Sequence, residues 1–364
     1  MRLSKTIAQL KRVRSHIPLA GQAGSKGRLS DLAGFGSNPG NLGARCYVPP
    51  GLEPGAPLVV VLHGCTQSAA AYDRGSGWSA LADRNGFALL FPEQQAANNQ
   101  NLCFNWFEPA DTRRGKGEAA SIAAMALRMA ELHGADPSRI FVTGLSAGGA
   151  MAAVMLAAYP ELFAGGAIIA GLPYGCASSV AEAFGCMGGR GRVDSEALAE
   201  RVRGASRHKG PWPRISIWQG SADHTVSPSN AEALVAQWLD VHDLPKRPSR
   251  RETVEGYPRL AWAGSDGTEL VEQYSITGLG HGTPIMPGSG EGRSGEPGPY
   301  MLEAAISSTD RIAAFFGIAP ALPALTKPLP KAGHSEPKPA APVAAPSGVQ
   351  GVIEDALKAA GLMR

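Results

Sequence analysis

The stretch Phe141-Val142-Thr143-Gly144-Leu145-Ser146-Ala147-Gly148-Gly149-Ala150-Met151 is the segment around which the rest of the chain can be interpreted. It begins with apolar residues, breaks at small ones, and becomes apolar again as far as Tyr159-Pro160. This pattern predicts a short buried strand, a tight turn and an apolar helix that ends at the proline. Such a turn lifts a serine above the sheet and points the helix N-terminus at its hydroxyl. The segment therefore predicts a nucleophilic Ser146, and a plain strand-to-helix turn is the alternative.

Apolar runs alternate with helical patterns on both sides of this segment. The unbroken run Leu58–Leu62 is typical of a central parallel strand that is buried on both faces. The other expected strands are Leu42–Val48 at an edge, Phe87–Phe91, Ala167–Ala170, Ile215–Trp218 and Leu270–Ile276. The expected helices are Trp78–Asn85, Glu118–His133, Asn230–His242 and Met301–Phe316. The alternation predicts a doubly wound, mostly parallel α/β sheet, with residues 172–210 as a small irregular lid.

Composition separates a central body from two tails. Residues 1–40 are expected to form a basic tail, because the first 30 residues hold seven Lys and Arg and no acid. Residues 1–18 have helical apolar spacing but lack the continuous apolar run of a secretory signal. Residues 41–318 are the expected catalytic domain. Residues 319–346 contain eight prolines and predict a stiff linker, and residues 347–364 predict an amphipathic helix.

The charge balance, the apolar runs and the cysteines indicate which ligands and partners to expect. Beyond residue 30 the chain holds 27 basic and 31 acidic residues, so nothing favours nucleic-acid binding. No apolar run has the length of a membrane span, and no His/Cys cluster has zinc-ligand spacing, so we expect no transmembrane segment, metal or cofactor. The five cysteines fit two disulfides and one free thiol, or five reduced residues.

A nucleophilic serine needs a base that removes its proton and an acid that orients the base. In hydrolases with this turn the order along the chain is Ser, then Asp or Glu, then His. His281 follows the last long strand and is flanked by glycines, which makes it the predicted base, with His224 as its rival. The other histidines after Ser146 are His208 in a basic loop, His242 in a helix and His334 in the linker.

Asp223 is the predicted acid, because it follows the strand Ile215–Trp218 after a glycine break. The alternative role for Asp223 is to cap the helix that begins near Ser229. The competing carboxylates fit other places: Asp240 and Asp243 belong to a helix and its end, and Asp266 lies in a hairpin-like turn.

A tetrahedral intermediate also needs fixed donors for its negative oxygen. The predicted donors are the amide of Ala147 and the amide of Cys65 in the turn after Leu58–Leu62. Cys103 follows the neighbouring strand at the same end of the sheet, so a Cys65–Cys103 disulfide would hold this turn. A Cys176–Cys186 disulfide would staple the lid.

Several linked motifs together resemble the polyhydroxybutyrate depolymerase family of esterases, which also includes feruloyl and acetylxylan esterases. The motifs are His63-Gly64-Cys65-Thr66-Gln67, Cys103-Phe104-Asn105-Trp106-Phe107, Gly144-Leu145-Ser146-Ala147-Gly148-Gly149-Ala150-Met151, Gly171-Leu172-Pro173-Tyr174-Gly175-Cys176, Gln219-Gly220-Ser221-Ala222-Asp223 and Gly280-His281. The resemblance runs from about residue 38 to residue 317. It implies an α/β-hydrolase fold, a Ser146–His281–Asp223 triad, oxyanion donors at Cys65 and Ala147, and an acyl site lined by Trp106 and Trp218.

The resemblance implies a serine carboxylesterase that forms an acyl-enzyme without a metal or cofactor. Aromatic residues after several strands, including Tyr174 in the lid, indicate an apolar cleft. Such a cleft favours hydroxyalkanoate esters, such as polyhydroxybutyrate or its oligomers. Feruloyl or acetylxylan esters are the second choice, and a non-catalytic protein that binds a surface or polymer granule is the alternative of another class. The resemblance favours an extracellular location, whereas the N-terminus favours a cytoplasmic one.

Overall fold

In the computed structural model, the apolar runs of the sequence form the strands of one large sheet. The structure describes residues 27–190 and 194–322. The predicted helices at residues 1–18 and 347–364, and most of the predicted linker 319–346, lie outside the described residues. The strands of the described part are β1 (Ser30–Asp31), β2 (Gly43–Tyr47), β3 (Leu58–Leu62), β4 (Ala88–Glu93), β5 (Ile140–Leu145), β6 (Gly165–Ile169), β7 (Arg214–Gly220), β8 (Arg250–Val254), β9 (Tyr257–Ala263), β10 (Glu269–Ile276), β11 (Thr283–Ile285) and β12 (Met301–Glu303).

Helices connect these strands and cover both faces of the sheet. Those of the described residues are α1 (Ala69–Ser76), α2 (Trp78–Asn85), α3 (Pro109–Thr112), α4 (Gly117–His133), α5 (Ala147–Ala158), α6 (Val180–Met187), α7 (Ser195–Gly204), α8 (Ser229–Val241) and α9 (Ser308–Phe316). Within this part of the chain, no helix combines the length and the apolar character needed to cross a membrane.

The strand order in the large sheet is β1-β2-β4-β3-β5-β6-β7-β10-β9-β8. The strands from β4 to β10 in this order are parallel to one another, and antiparallel strands extend the sheet at both ends. Every residue of β3 is at most 1% exposed, as expected for a strand covered on both faces. The predicted doubly wound, mostly parallel α/β sheet is confirmed.

The two faces of the sheet carry separate hydrophobic cores. Helices α4, α5, α7 and α8 pack on one face, and α1, α2 and α9 on the other. Representative core side chains are Met125, Met151, Val202 and Trp238 on the first face, and Tyr72, Leu81 and Ile312 on the second. Helix α5 is buried along its whole length, so this helix joins the functional turn to the centre of the molecule.

The structure differs from the predicted elements in three places. Strand β1 pairs with β2, so β2 is not an edge strand and the sheet extends into the predicted basic tail. The lid contains α6 and α7, whose first turns are capped by Ser179 and Asp194. The predicted helix Met301–Phe316 begins only at Ser308, where the Ser307 side chain accepts a hydrogen bond from the Asp310 amide. The residues before it form β12, which pairs with β11.

The segment around β11, β12 and α9 folds back onto α1, the first helix of the described residues. The Thr309 hydroxyl donates a hydrogen bond of 2.8 Å to the carbonyl of Ser76, and the Glu296 amide donates one of 3.0 Å to the carbonyl of Gly75. The hydroxyls of Tyr72 and Thr283 lie 3.3 Å apart. These contacts connect the last part of the described chain to its beginning.

The cysteines form one of the two predicted disulfides. Cys65 and Cys103 are bonded, with an S–S distance of 2.11 Å. The second predicted pairing differs, because Cys176 and Cys186 are free thiols, as is Cys46. The thiol of Cys186 instead donates to the carbonyl oxygen of Cys176 at 2.9 Å.

Gly148 allows α5 to pack closely against the end of β3. A Cβ atom at this position would overlap with the carbonyl oxygens of Leu62 and His63. Both oxygens belong to the backbone, so the overlap can be relieved only if the helix and the strand move apart.

We expect three titratable thiols in protein that is denatured with guanidinium chloride without any reductant. The reason is that Cys65 and Cys103 are consumed in their disulfide while the other cysteines are free. Titration with a thiol-reactive chromophore counts them, and prior reduction should raise the count to five. A count of one without reductant would instead show that the Cys176–Cys186 disulfide also forms. A count of five would show that neither this disulfide nor Cys65–Cys103 forms.

Substitution of Gly148→Ala should lower the free energy of unfolding by about 1–3 kcal/mol, because it overfills a tight backbone contact. Urea denaturation followed by tryptophan fluorescence measures this change. Gly204→Ala is the matched control: Gly204 ends α7, and nothing lies within 4 Å of an added Cβ. Its stability should be unchanged or higher by up to about 1 kcal/mol. Equal urea midpoints for the Gly148→Ala and Gly204→Ala variants would contradict the close packing inferred at Gly148.

Candidate active site

Ser146 lies on the turn between β5 and α5 with φ +57° and ψ −119°. This backbone conformation is strained for any residue other than glycine, and strain of this kind is concentrated at functional sites. The Ser146 amide is held by the carbonyl of Ile169 at 2.9 Å. A Cβ on Gly144 would overlap with the Gly148 carbonyl, and one on Gly149 would lie 2.9 Å from the Ile169 carbonyl oxygen. The small residues around Ser146 are therefore required by the tightness of the turn.

The structure brings Ser146 together with His281 and Asp223. Nε2 of His281 lies 2.9 Å from Oγ of Ser146, and Nδ1 lies 2.8 Å from Oδ2 of Asp223. A carboxylate oxygen can only accept, so Nδ1 carries the proton and donates it to Asp223. Nε2 is then left as an acceptor that faces the serine hydroxyl. This arrangement has the geometry of a serine hydrolase triad.

Asp223 is buried, and its carboxylate is fixed on both oxygens. Oδ1 accepts from the amides of Thr225 and Val226, each at 2.9 Å. Oδ2 accepts from Nε2 of Gln219 at 3.0 Å as well as from His281. The side chain therefore orients the imidazole and does not cap α8. Gln219 was not among the predicted site residues, although it stands in the same motif as Asp223.

The predicted oxyanion donors are the backbone amides of Cys65 and Ala147. Neither amide donates a hydrogen bond to any group in the described part of the chain. The approach of Gly148 to the end of β3 brings the start of α5 against the turn that contains Cys65. A Cβ on Gly64 would lie 3.5 Å from the Leu145 carbonyl oxygen, so this turn is packed directly on the residue before Ser146.

The turn that contains Cys65 is held from the loop after β4. The Cys65–Cys103 disulfide is one connection, and a hydrogen bond of 2.7 Å from the Thr66 amide to the Asn101 carbonyl is another. His63 provides a third, because its Nε2 accepts from the Gln94 amide at 3.1 Å. Burial lowers the pKa of His63, so the ring stays neutral with Nδ1 donating to the Gly64 carbonyl.

Glu118 is a buried carboxylate that orders the same loop, and no pattern in the sequence indicated this role. Its oxygens accept from Gln94 Nε2 at 2.6 Å, from the Asn105 amide at 2.8 Å and from Asn105 Nδ2 at 2.7 Å. Burial raises the pKa of Glu118 to about 7, and these hydrogen bonds oppose that rise. The carboxylate thus fixes Asn105 directly beside Trp106.

Trp106 and Tyr174 line one cavity of about 500 Å³, together with Arg113, Arg114 and Arg201. The predicted cleft was apolar, whereas the lining of this cavity includes three arginines and none of Ser146, Asp223 and His281. The Trp106 ring packs edge-on against Phe107, with 5.3 Å between ring centroids.

Trp218 does not line the site, which corrects the prediction made for it. Its ring is 1% exposed and stacks on Tyr274 with 3.9 Å between centroids. Its Nε1 donates to the Ser216 hydroxyl at 2.9 Å. Alternation along β7 explains the difference, because Ile215 and Ile217 face one core while Trp218 faces the other.

Tyr300 is a further residue of the site that the sequence did not indicate. Its ring stands at 79° to the ring of His281, with 6.1 Å between the centroids. The rival base, His224, is exposed. His242 directly follows α8 and is partly buried, and this burial lowers its pKa to about 4. Within residues 27–190 and 194–322, no cluster of His, Cys, Asp and Glu is arranged to hold a metal ion.

Comparison with known proteins agrees with this geometry. The sequence pattern of the family described as Esterase PHB depolymerase matches residues 42–255, which include Ser146 and Asp223 and end before His281. The chain is 48% identical over 303 residues to poly(3-hydroxyalkanoate) depolymerase C of Paucimonas lemoignei, covering 83% of this chain and 73% of that protein. It is 34% identical over 265 residues to an acetylxylan esterase of Coprinopsis cinerea, covering 71% and 70%.

One solved esterase structure has a similar fold. The acetyl xylan esterase from Aspergillus awamori superimposes with a TM-score of 0.68 at 28% sequence identity, covering 81% of this chain and all of that one. The chain therefore belongs to the polyhydroxybutyrate depolymerase family of esterases, which hydrolyse carboxylic ester bonds, and it has the α/β-hydrolase fold.

Proposed function

We propose that the protein is a serine carboxylesterase that hydrolyses hydroxyalkanoate esters, namely polyhydroxybutyrate or its oligomers, through Ser146, His281 and Asp223. The hydrogen-bonded chain from Ser146 to Asp223 is the observation that carries the proposal. The unpaired amides of Cys65 and Ala147 support it, because an oxyanion needs donors that are not already used.

The reaction begins when Ser146 Oγ attacks the ester carbonyl carbon and its proton passes to His281 Nε2. The carbonyl oxygen becomes an oxyanion, which the amides of Cys65 and Ala147 stabilise; one such donor is worth about 3–4 kcal/mol. The tetrahedral intermediate breaks its bond to the alcohol oxygen, and the same proton moves from Nε2 to that oxygen. The alcohol leaves, and an acyl-enzyme remains on Ser146.

Water completes the cycle by the same route. His281 Nε2 removes a proton from the attacking water, and a second tetrahedral intermediate expels Ser146 Oγ, which takes the proton back. Asp223 accepts the Nδ1 hydrogen bond throughout and stabilises the imidazolium form of His281. Each step is a proton transfer or an acyl transfer, so the residues of this chain are sufficient for the chemistry.

The choice of hydroxyalkanoate esters rests on the relatives. The 48% identical relative is named as a poly(3-hydroxyalkanoate) depolymerase, whereas the acetylxylan esterase is 34% identical. A feruloyl esterase B of Talaromyces funiculosus is 30% identical over 265 residues. Acetyl or feruloyl esters of plant polysaccharide are therefore the second candidate. The disulfide further supports action in an oxidising compartment outside the cytoplasm.

Replacing the nucleophile should abolish catalysis without unfolding the protein. For Ser146→Ala we expect kcat for p-nitrophenyl butyrate to fall at least about 10⁴-fold, because no covalent intermediate can form. Ser138→Ala is the matched control, since Ser138 lies in an exposed turn and hydrogen-bonds only Asp136. The far-ultraviolet circular dichroism of both variants should match the parent protein. Substantial hydrolysis by Ser146→Ala would refute the nucleophile, whereas a lack of hydrolysis in the parent protein would favour a non-catalytic binding role.

The substrate class is tested by rates on three esters under identical conditions: a 3-hydroxybutyrate trimer, methyl ferulate and an acetylated xylan oligomer. We expect kcat/KM to be highest for the trimer, because the 48% identical relative is named for hydroxyalkanoates. The release of acid can be followed by a pH-stat for all three, so the readouts are comparable. A higher value for methyl ferulate or for the xylan oligomer would reverse the ranking and leave the mechanism intact.

A further inference from the structure

The small sheet formed by β11 and β12 holds His281 and Tyr300 next to each other. Thr283 pairs with Met301 in this sheet, and the Thr283 amide donates to the Tyr300 carbonyl at 2.8 Å. His281 lies two residues before β11, and Tyr300 lies directly before β12. The pairing therefore fixes the separation of the two rings at 6.1 Å.

The backbone of Tyr300 is in a conformation that tyrosine rarely adopts. Its φ is +62°, in the left-handed region, which costs free energy for a residue with a Cβ atom. A Cβ on Gly282 would lie 2.7 Å from the Tyr300 carbonyl oxygen, so the neighbouring chain is closely packed here. The packed surroundings hold the ring in place despite this strain.

Tyr300 also reaches the turn that carries the Cys65 amide. Its hydroxyl lies near the side chain of Thr66, and the Thr66 hydroxyl donates to the Cys65 carbonyl at 2.6 Å. The tyrosine thus spans the gap between the imidazole of His281 and the predicted oxyanion donors. Tyr300 is only partly buried, so part of the residue is accessible to a bound molecule.

The position of His281 defines where the alcohol part of an ester must lie. His281 Nε2 donates the proton to the departing alcohol, so the alcohol oxygen must come within hydrogen-bond distance of this atom, about 2.6–3.2 Å. The groups attached to that oxygen then extend into the space beside the imidazole. The exposed part of the Tyr300 ring borders this space.

We propose that Tyr300 forms the binding subsite for the leaving alcohol, where its ring packs against the hydrocarbon part of a secondary alcohol such as the hydroxyalkanoate unit. This inference rests on the proposed function, because it requires acyl transfer through Ser146. The family match at residues 42–255 does not include Tyr300. An apolar contact with an aromatic ring favours alcohols with a hydrocarbon substituent over water.

The test follows the fate of a single acyl-enzyme. Butyryl-enzyme made from p-nitrophenyl butyrate is intercepted by water or by added methyl 3-hydroxybutyrate, and chromatography measures the ratio of transfer product to butyrate. By microscopic reversibility, an attacking alcohol occupies the subsite from which a leaving alcohol departs. Tyr300→Ala should lower this ratio about five- to tenfold, because the attacking alcohol loses an apolar contact that water does not make. Tyr300→Phe should keep most of the parent ratio, because the ring remains.

Tyr257→Ala is the matched control, because Tyr257 is also a partly buried tyrosine near β12, where it hydrogen-bonds the Ala304 carbonyl. Its ratio should equal that of the parent. Tyr300→Asn is a second variant without the ring, since asparagine tolerates a left-handed backbone. An unchanged ratio in Tyr300→Ala or Tyr300→Asn overturns the subsite, as does an equal fall of transfer and hydrolysis, which indicates a structural role. If the parent protein hydrolyses the ester but transfers no butyryl group to the alcohol, the subsite is overturned, whereas a parent protein that releases no p-nitrophenol refutes the proposed function.

Discussion

The close packing of α5 on the end of β3 is the constraint on which the candidate site depends. Gly148 leaves no space for a side chain between the helix and the Leu62 and His63 carbonyls. This contact sets the helix N-terminus beside the Cys65 turn, where Ser146 has a positive φ of +57°. The strain at one residue is offset by burial of every residue of α5, since each apolar side chain removed from water stabilises the fold. A rigid helix therefore determines where the serine hydroxyl lies.

Polar groups around this turn are buried but paired, which makes the site stiff. Asp223 has four hydrogen-bond donors, and Glu118 has three. Burying a carboxylate costs free energy unless hydrogen-bond donors replace the water that it loses. Moving one of these donors away would leave a buried carboxylate oxygen unpaired, so each donor is held in position. The same reasoning explains why His63 is neutral: its ring has one donor and one acceptor partner, and burial outweighs the attraction of Glu93 for a charged ring.

The fold and the positions of Ser146, Asp223 and His281 could be predicted from the sequence because each depends on a local signal. A serine between small residues marks a turn, and polar residues after parallel strands meet at one edge of the sheet. Trp218 could not be placed this way, because the sequence gives its distance from the strand end but not the face to which it points. Tyr300 had no signal at all, since β12 is too short to leave an alternating pattern. The capping residues Ser179 and Asp194 were available as signals for the lid helices, and the glycine-rich context obscured them.

The contacts between α1 and the last part of the described chain affect the order in which the molecule folds. Tyr72 meets Thr283 across 211 residues of sequence, and Ser76 meets Thr309 across 233. Contacts of this range form late, because closing a long loop costs entropy before any contact repays it. During synthesis Ser146 leaves the ribosome well before His281, so on the proposed mechanism a nascent chain carries its serine without a base. Esterase activity then requires that the chain has extended past His281 and folded back onto Ser146, so its recovery during refolding reports the formation of this long-range contact.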